Sequence, residues 1–134
     1  GSMKEVYEGL LRDIGPDEDY MIVSNMHHWY YADASYFQDF TERRAALSRK
    51  LGFRIRLLLQ DSEISRKHRK IQAQLNETIR LLPKHTSLTT NLVIIPKKVV
   101  IHQLVPPIHA MVVENPNIVR MHRELFEIMW GALA

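Results

Sequence analysis

Two periodicities alternate along the chain. Val6, Leu10, Leu11 and Ile14 fall on one face of a helix over residues 4–14. Gly15-Pro16 stops it, because glycine tolerates a left-handed cap and proline cannot continue a helix. The short apolar run YMIVS, 20–24, follows an acidic turn and predicts a strand. Ser35 is the expected N-cap of a second helix running to Leu51, with Phe37, Phe40, Leu47 and Leu51 inward and Gly52 as its end. FRIRLLL, 53–59, alternates and then turns fully apolar, as a strand entering a sheet does. Strand, helix, strand in that order predicts a βαβ unit with parallel strands and a right-handed crossover.

A third helix is predicted over 65–76, with Ile71 and Leu75 on its buried side, and a short extended piece over 79–82 leads into Pro83. Strands at 91–95 and 99–104 flank Pro96-Lys97-Lys98, where proline suits the second position of a turn, so the pair reads as a hairpin. One more strand, 110–114, follows Pro106-Pro107. A final amphipathic helix over 117–132 places Leu125, Phe126, Met129 and Trp130 on a broad apolar face. The expected fold class is α/β, a mixed β-sheet flanked by helices. The opening GSM reads as a cloning remnant, leaving 4–134 as a single domain, expected to be a piece of a longer protein.

Composition narrows the function classes only a little. Of the 134 residues, 46% are hydrophobic and 25% charged, which is globular rather than disordered. With no cysteine there is no disulfide framework and no thiolate chemistry, as fits a reducing cytoplasm. No apolar run is long enough to cross a bilayer, so no membrane partner is expected. A formal charge of +3 favours an anionic partner only if the charges cluster. Arg66, Lys67, Arg69, Lys70 and Arg80 form a basic run, but it reads as the outer face of an amphipathic helix with no aromatic rings between the charges to stack on bases. The same reading applies to Arg43, Arg44, Arg49 and Lys50.

Candidate chemistry concentrates in SNMHHWYYADASYF, Ser24 to Phe37. His27 and His28 are adjacent, so in an extended segment they point to opposite sides and make poor co-ligands for a metal. His102 and His109 flank a strand connection, but two imidazoles without a carboxylate are a weak site, so no metal is expected. Glu114 beside His109 or His102 is a candidate acid–base pair, for which a surface carboxylate near unrelated histidines is the plainer reading. There is no GxSxG, no HExxH and no phosphate-binding glycine loop.

The segments YEGLLRDI, ERRAALSRKLGFRIRLL, IRLLP, NLVIIPKKVVI and ENPNIVRMHRELFEIMW occur in an order that resembles the C-terminal effector-sensing domain of TrmB-type transcriptional regulators. The resemblance runs from Tyr7 to Trp130, and its strongest marks are the glycine and arginines of Leu51 to Arg56 and the Phe126 to Trp130 spacing. It implies a phospholipase D-like fold. Phospholipase D enzymes carry histidine, any residue, lysine, four residues, then aspartate, with the histidine as nucleophile. The matching positions here are Thr89, Asn91 and Pro96, none of which can do that work. Of the enzymes' second motif, glycine-serine-any-asparagine, only Asn117 is kept in Glu114-Asn115-Pro116-Asn117.

The resemblance therefore implies a non-catalytic sensor without a cofactor, binding a small-molecule effector, with sugars, to which such regulators respond, as the implied class. DNA would be reached only through a separate N-terminal winged-helix domain, which this chain does not contain. Phospholipase D-like folds commonly pair two halves, so a lone half is expected to form a homodimer. Ligands in α/β sheets collect beyond the carboxyl ends of parallel strands, which places the loop from Ser24 to Asp33 at the expected site. Asn25, His28, Trp29, Tyr30, Asp33, Thr89 and Asn91 are the candidate ligand-binding residues. Trp29 and Tyr30 suit an effector pocket and core packing equally. The alternative function is a degenerate phosphodiesterase or nuclease that still binds nucleic acid.

Overall fold

The structure is a computed structural model that describes residues 3–27 and 33–133. Helix α1 (Met3–Asp13) leads into strand β1 (Asp19–Ser24), helix α2 (Ala34–Leu51) and strand β2 (Arg54–Leu59). A short helix α3 (Glu63–Arg69) and strand β3 (Glu77–Leu81) follow, then β4 (Thr90–Ile95), β5 (Lys98–Gln103), β6 (His109–Val113) and helix α4 (Pro116–Ala132). The six strands form one mixed sheet in the order β3-β2-β1-β4-β5-β6. Strand β1 runs parallel to β2 and antiparallel to β4, so the sheet changes character along one of its central strands. The expected α/β class, the βαβ unit and the β4–β5 hairpin are all present.

Period-two alternation divides the core into two layers. Tyr20, Ile22, Ile55, Leu57, Leu59, Val93 and Ile95 face α1, α2 and α3, packing on Tyr7, Leu10, Phe40 and Ile64. Met21, Val23, Leu58, Ile94 and Val99 face the other way, under Val119 and Phe126 of α4. Two arginines of the strands clamp α4 to its layer. Arg56 on β2 donates to Glu127 at 2.6 Å, and the guanidinium of Arg80 on β3 stacks 4.2 Å above the Trp130 ring.

Local signals fix most element ends, with corrections. The N-cap of α2 is Asp33, whose carboxylate accepts from the Tyr36 N–H, and not Ser35, which lies inside the first turn. The third helix is shorter and earlier than the periodicity suggests. Ser62 caps it by accepting from Ser65 N–H, and it ends at Arg69 in successive tight turns over 70–76. Those turns rotate Ile71 out to 40% exposure while Leu75 stays buried. Arg44, grouped by sequence with the solvated cations of α2, is instead buried. At α4, Asn115 caps and Pro116 occupies the first turn, where its missing N–H costs nothing.

Gly52 ends α2 in the left-handed region at φ 83°, and its N–H returns to the Ser48 carbonyl. A Cβ there would lie 2.9 Å from an Asp17 carboxylate oxygen. Gly52→Ala is expected to destabilise the fold by about 1–2 kcal/mol, read as a lower urea midpoint at unchanged slope.

Candidate functional site

Between α1, α2 and the sheet lies a cavity of about 50 Å3, several-fold the roughly 10–15 Å3 that one water needs. Its floor is made by β1, β2 and β4, at the place where parallel pairing gives way to antiparallel. Its walls are chiefly aromatic and aliphatic, with Tyr7, Phe37 and Phe40 over Ile22, Leu57 and Val93. Tyr20, Ser24, Arg44 and Asn91 supply hydrogen-bonding groups among them.

Two of those four residues are deeply buried and carry an atom with no hydrogen-bond partner among the described residues. They are Arg44 Nε and Asn91 Oδ1, in residues 4% and 3% exposed, while the fully buried Tyr20 hydroxyl interacts with the Arg44 guanidinium. Leaving such a group unpaired costs about 1–3 kcal/mol, so two around one cavity call for an explanation. They lie toward two ends. The Arg44 guanidinium packs 5.1 Å from the Tyr20 ring centroid, at the start of β1. Asn91 lies beside Ser24 at the far end of that strand, next to the registered pair Val23 and Leu92. Ser24 is four residue steps along the strand from Tyr20, roughly 13 Å of backbone.

Arg44 is held in place from behind. It donates to Glu77 Oε2 at 2.6 Å, and the other oxygen of Glu77 is 2.8 Å from His68 Nε2, with all three side chains buried. Burial pushes the Glu77 carboxyl up, but the His68 hydrogen bond and the Arg44 charge outweigh it and hold the group below its ordinary range. The pair thus links α2 to β3 across the layer that contains the cavity.

The roof is fastened by a second cluster. Glu8 of α1 accepts two bonds from Arg43 of α2, at 2.7 and 2.8 Å, and one from the Tyr36 hydroxyl at 2.5 Å. The Arg43 hydrogen bonds in particular lower the Glu8 carboxyl to about 2. Tyr7, also on α1, hydrogen-bonds at 3.0 Å with His102 Nδ1 of β5.

Of the residues singled out from sequence, Asn91 lines the cavity. Asn25 is engaged in anchoring its loop, donating to Leu88 O and accepting from His27 N. Asp33 caps α2 and pairs with Lys4 at 2.8 Å. Thr89 is exposed, and its carbonyl accepts from Leu104 N. His28, Trp29 and Tyr30 lie outside the described residues. Met26, also in this loop, is buried at a left-handed φ of 68° and lines the cavity, with its N–H bonded to Ser24 Oγ. The residues that sequence missed are Tyr20, Arg44 and the Glu77–His68 support. An available signal was the i, i+4, i+8 series Phe40, Arg44, Ser48, which puts the arginine on the inward stripe.

Elsewhere, an open groove of about 620 Å3 collects Arg49, Arg54, Arg56 and Arg80 beside Trp130. Its cations are already engaged. Arg54 pairs with Asp19, Arg56 with Glu127, and Arg49 and Arg80 donate to the carbonyls of Gln74 and Trp130. Among the described residues no cluster of three or more metal-ligating side chains occurs, and no helix is long and apolar enough to cross a membrane.

Two measurements test these clusters. Glu77→Gln leaves Arg44 buried without a counter-charge and should cost about 3–5 kcal/mol in urea denaturation, most of it recovered on adding Arg44→Met. Glu8 is partly exposed, so its cluster contributes about 1 kcal/mol or less. Because its folded pKa is depressed, that contribution is complete above about pH 4.5 and lost as pH falls through about 2. The stability difference between the native protein and Glu8→Gln should therefore shrink across that window. No protein-family model and no curated protein matches the sequence, so what the site does has to be read from its geometry.

Proposed function

We propose that the chain is a non-catalytic sensing domain of a TrmB-like transcriptional regulator, with a phospholipase D-like fold, that binds a small effector in the cavity beneath α1 and α2. The observation that carries this reading is the aromatic cavity at the junction of parallel and antiparallel strands, with two buried, unpartnered polar atoms around it. The order of segments resembling the sensing domains of TrmB-type regulators supports it. A DNA-binding module on another part of the regulator would receive the signal, in a cytoplasmic setting.

The partner through which the signal passes is a second copy of the chain. Ile118, Met121, Leu125 and Ile128 are exposed along α4 at spacings of three, four and three. That is the seam spacing of a coiled coil, on a helix whose other side, through Val119 and Phe126, is occupied by the sheet. Exposed Met111 and Val112 on the edge strand β6 extend the apolar surface. Effector binding shifts the population between dimer arrangements by its differential affinity for them.

The test joins the two parts. Sedimentation of the native chain is expected to show a dimer, and Leu125→Glu a monomer of unchanged far-ultraviolet dichroism. A thermal-shift screen of sugars, nucleosides and aromatics should raise the melting temperature with at least one class. A monomeric native chain would remove the dimer relay. A screen without a hit, repeated by nuclear magnetic resonance at millimolar ligand, would remove the sensing function.

A further inference from the structure

We infer that a second copy of the chain joins at strand β6, the open edge of the sheet. Its own β6 adds antiparallel about a two-fold axis through Met111, so that two six-stranded sheets become one. This rests on the dimer proposed above and gives its geometry. The fold treats its two sheet edges differently. Along β3 the N–H groups of Glu77 and Ile79 donate to the carbonyl and the side-chain oxygen of Gln72, at 2.9 Å each, so the turns over 70–76 seal that edge. Beyond β6 the sheet has no further strand.

The ladder decides which backbone groups β6 turns outward. Leu104 N–H donates to the Thr89 carbonyl at 2.8 Å, which continues the β4–β5 register as a hydrogen-bonded pair. Such pairs alternate with non-hydrogen-bonded ones. His102 and Val100 therefore also direct their backbone groups to β4, and Gln103, Ile101 and Val99 direct theirs to β6. Their partners His109, Met111 and Val113 are thereby satisfied, and Ala110 and Val112 turn N–H and C=O to the open edge.

An antiparallel copy centred on Met111 sets Ala110 of each chain against Val112 of the other. Each pair exchanges two hydrogen bonds and matches a small side chain with a branched one. Met111 meets its own copy at the axis, where a charged residue would meet its like. None of residues 103–113 is Lys, Arg, Asp or Glu. The apolar surface follows the same plan. Of the nine large hydrophobic residues exposed among the described residues, eight lie between 105 and 128, on β6, the loop before it and α4. Met111, in register with Ile101, faces the α4 side of the sheet. Helix α4 starts at Pro116, close behind Val113, so its first exposed apolar residue, Ile118, begins beside that edge.

The chain has no cysteine, so a single introduced one reports the contact. Residues opposed in a non-hydrogen-bonded pair have Cα atoms about 4.5 Å apart, within the span of a disulfide. Met111→Cys should give a covalent dimer under mild oxidation, while Thr78→Cys, exposed on the sealed edge, should stay uncrosslinked on a non-reducing gel. Val112→Pro removes an outward N–H without touching the β5 ladder, and should raise the dimer dissociation constant about tenfold at unchanged far-ultraviolet dichroism. Should that variant not fold, hydrogen exchange of the native chain serves. The Ala110 and Val112 amides are expected to be protected at high concentration and to lose protection on dilution. A native dimer in which Met111→Cys stays uncrosslinked, or in which those amides exchange freely, overturns the strand pairing and leaves the dimer relay standing. A native chain that sediments as a monomer at every concentration overturns both.

Discussion

The buried ion pair between Arg44 and Glu77 sets the conditions for everything around it. Taking both charges out of water is expensive, and a pair of well-packed apolar side chains would often be as stable or more so. What the pair adds is position. Arg44 sits on α2 and Glu77 at the start of β3, the outermost strand on that side, so their 2.6 Å contact fixes the helix over the sheet. Glu77 can be buried as an anion because His68 engages its second oxygen. Arg44 can be buried as a cation because Glu77 balances it and the rings of Tyr20 and Phe40 flank it at 5.1 and 5.6 Å. One edge of the guanidinium is thereby consumed by structure, while Nε is left to the cavity.

Much of this architecture was legible in the sequence because it follows from periodicity and caps. The alternation of FRIRLLL, the proline turn between β4 and β5, and Gly52 after α2 each give a local reason for their element. Arg43 and Arg44 show where local reading stops. Adjacent on a helix, they point about 100° apart, so one reaches Glu8 at the surface and the other Glu77 in the interior. A run of cations reads as a solvated face until its buried counter-charge is known, and that counter-charge lies 33 residues away. The third helix misled for a related reason. Its cap, Ser62, precedes the basic run, and the tight turns after Arg69 break the 3.6 period that would have buried Ile71.

The candidate site was half legible. The rule that ligands gather beyond parallel strand ends pointed to the region after Ser24, and the cavity does reach Ser24 and Met26. It extends back beneath the helices toward Tyr20, however, with Tyr7 of α1 and Phe37 and Phe40 of α2 among its walls. Asn91 stood out as a degenerate catalytic position, and its importance here has a different basis. It is a buried amide on β4 facing the same layer as Val93 and Ile95, in register with His102 on β5. Asn25 and Asp33 suited ligand contact by residue type, but a loop end and a helix N-terminus each leave backbone groups that need partners, and these two side chains provide them.

In the proposed sensor a signal from the cavity to α4 would have to cross the sheet, because the two occupy opposite faces. Strands β1 and β4 both span the two layers, and α4 packs against β4. Asn91 and Val93 line the cavity, while Ile94 packs in the layer beneath Val119 and Phe126. Side chains that alternate along one strand cannot shift independently, since register ties each to its neighbours on β1 and β5. A ligand that drew Asn91 toward itself would therefore act on the strand as a unit, and α4 would meet the change through its packing on that strand. The opposing constraint is the clamp of Arg56 on Glu127 and of Arg80 on Trp130, which holds α4 to β2 and β3. Helix α4 is thus held to β2 and β3 by these arginines, and it meets β4 and β5 through apolar packing on Ile94 and Val99. In the proposed dimer a ligand would bias the seam only to the extent that it bound two arrangements of α4 unequally.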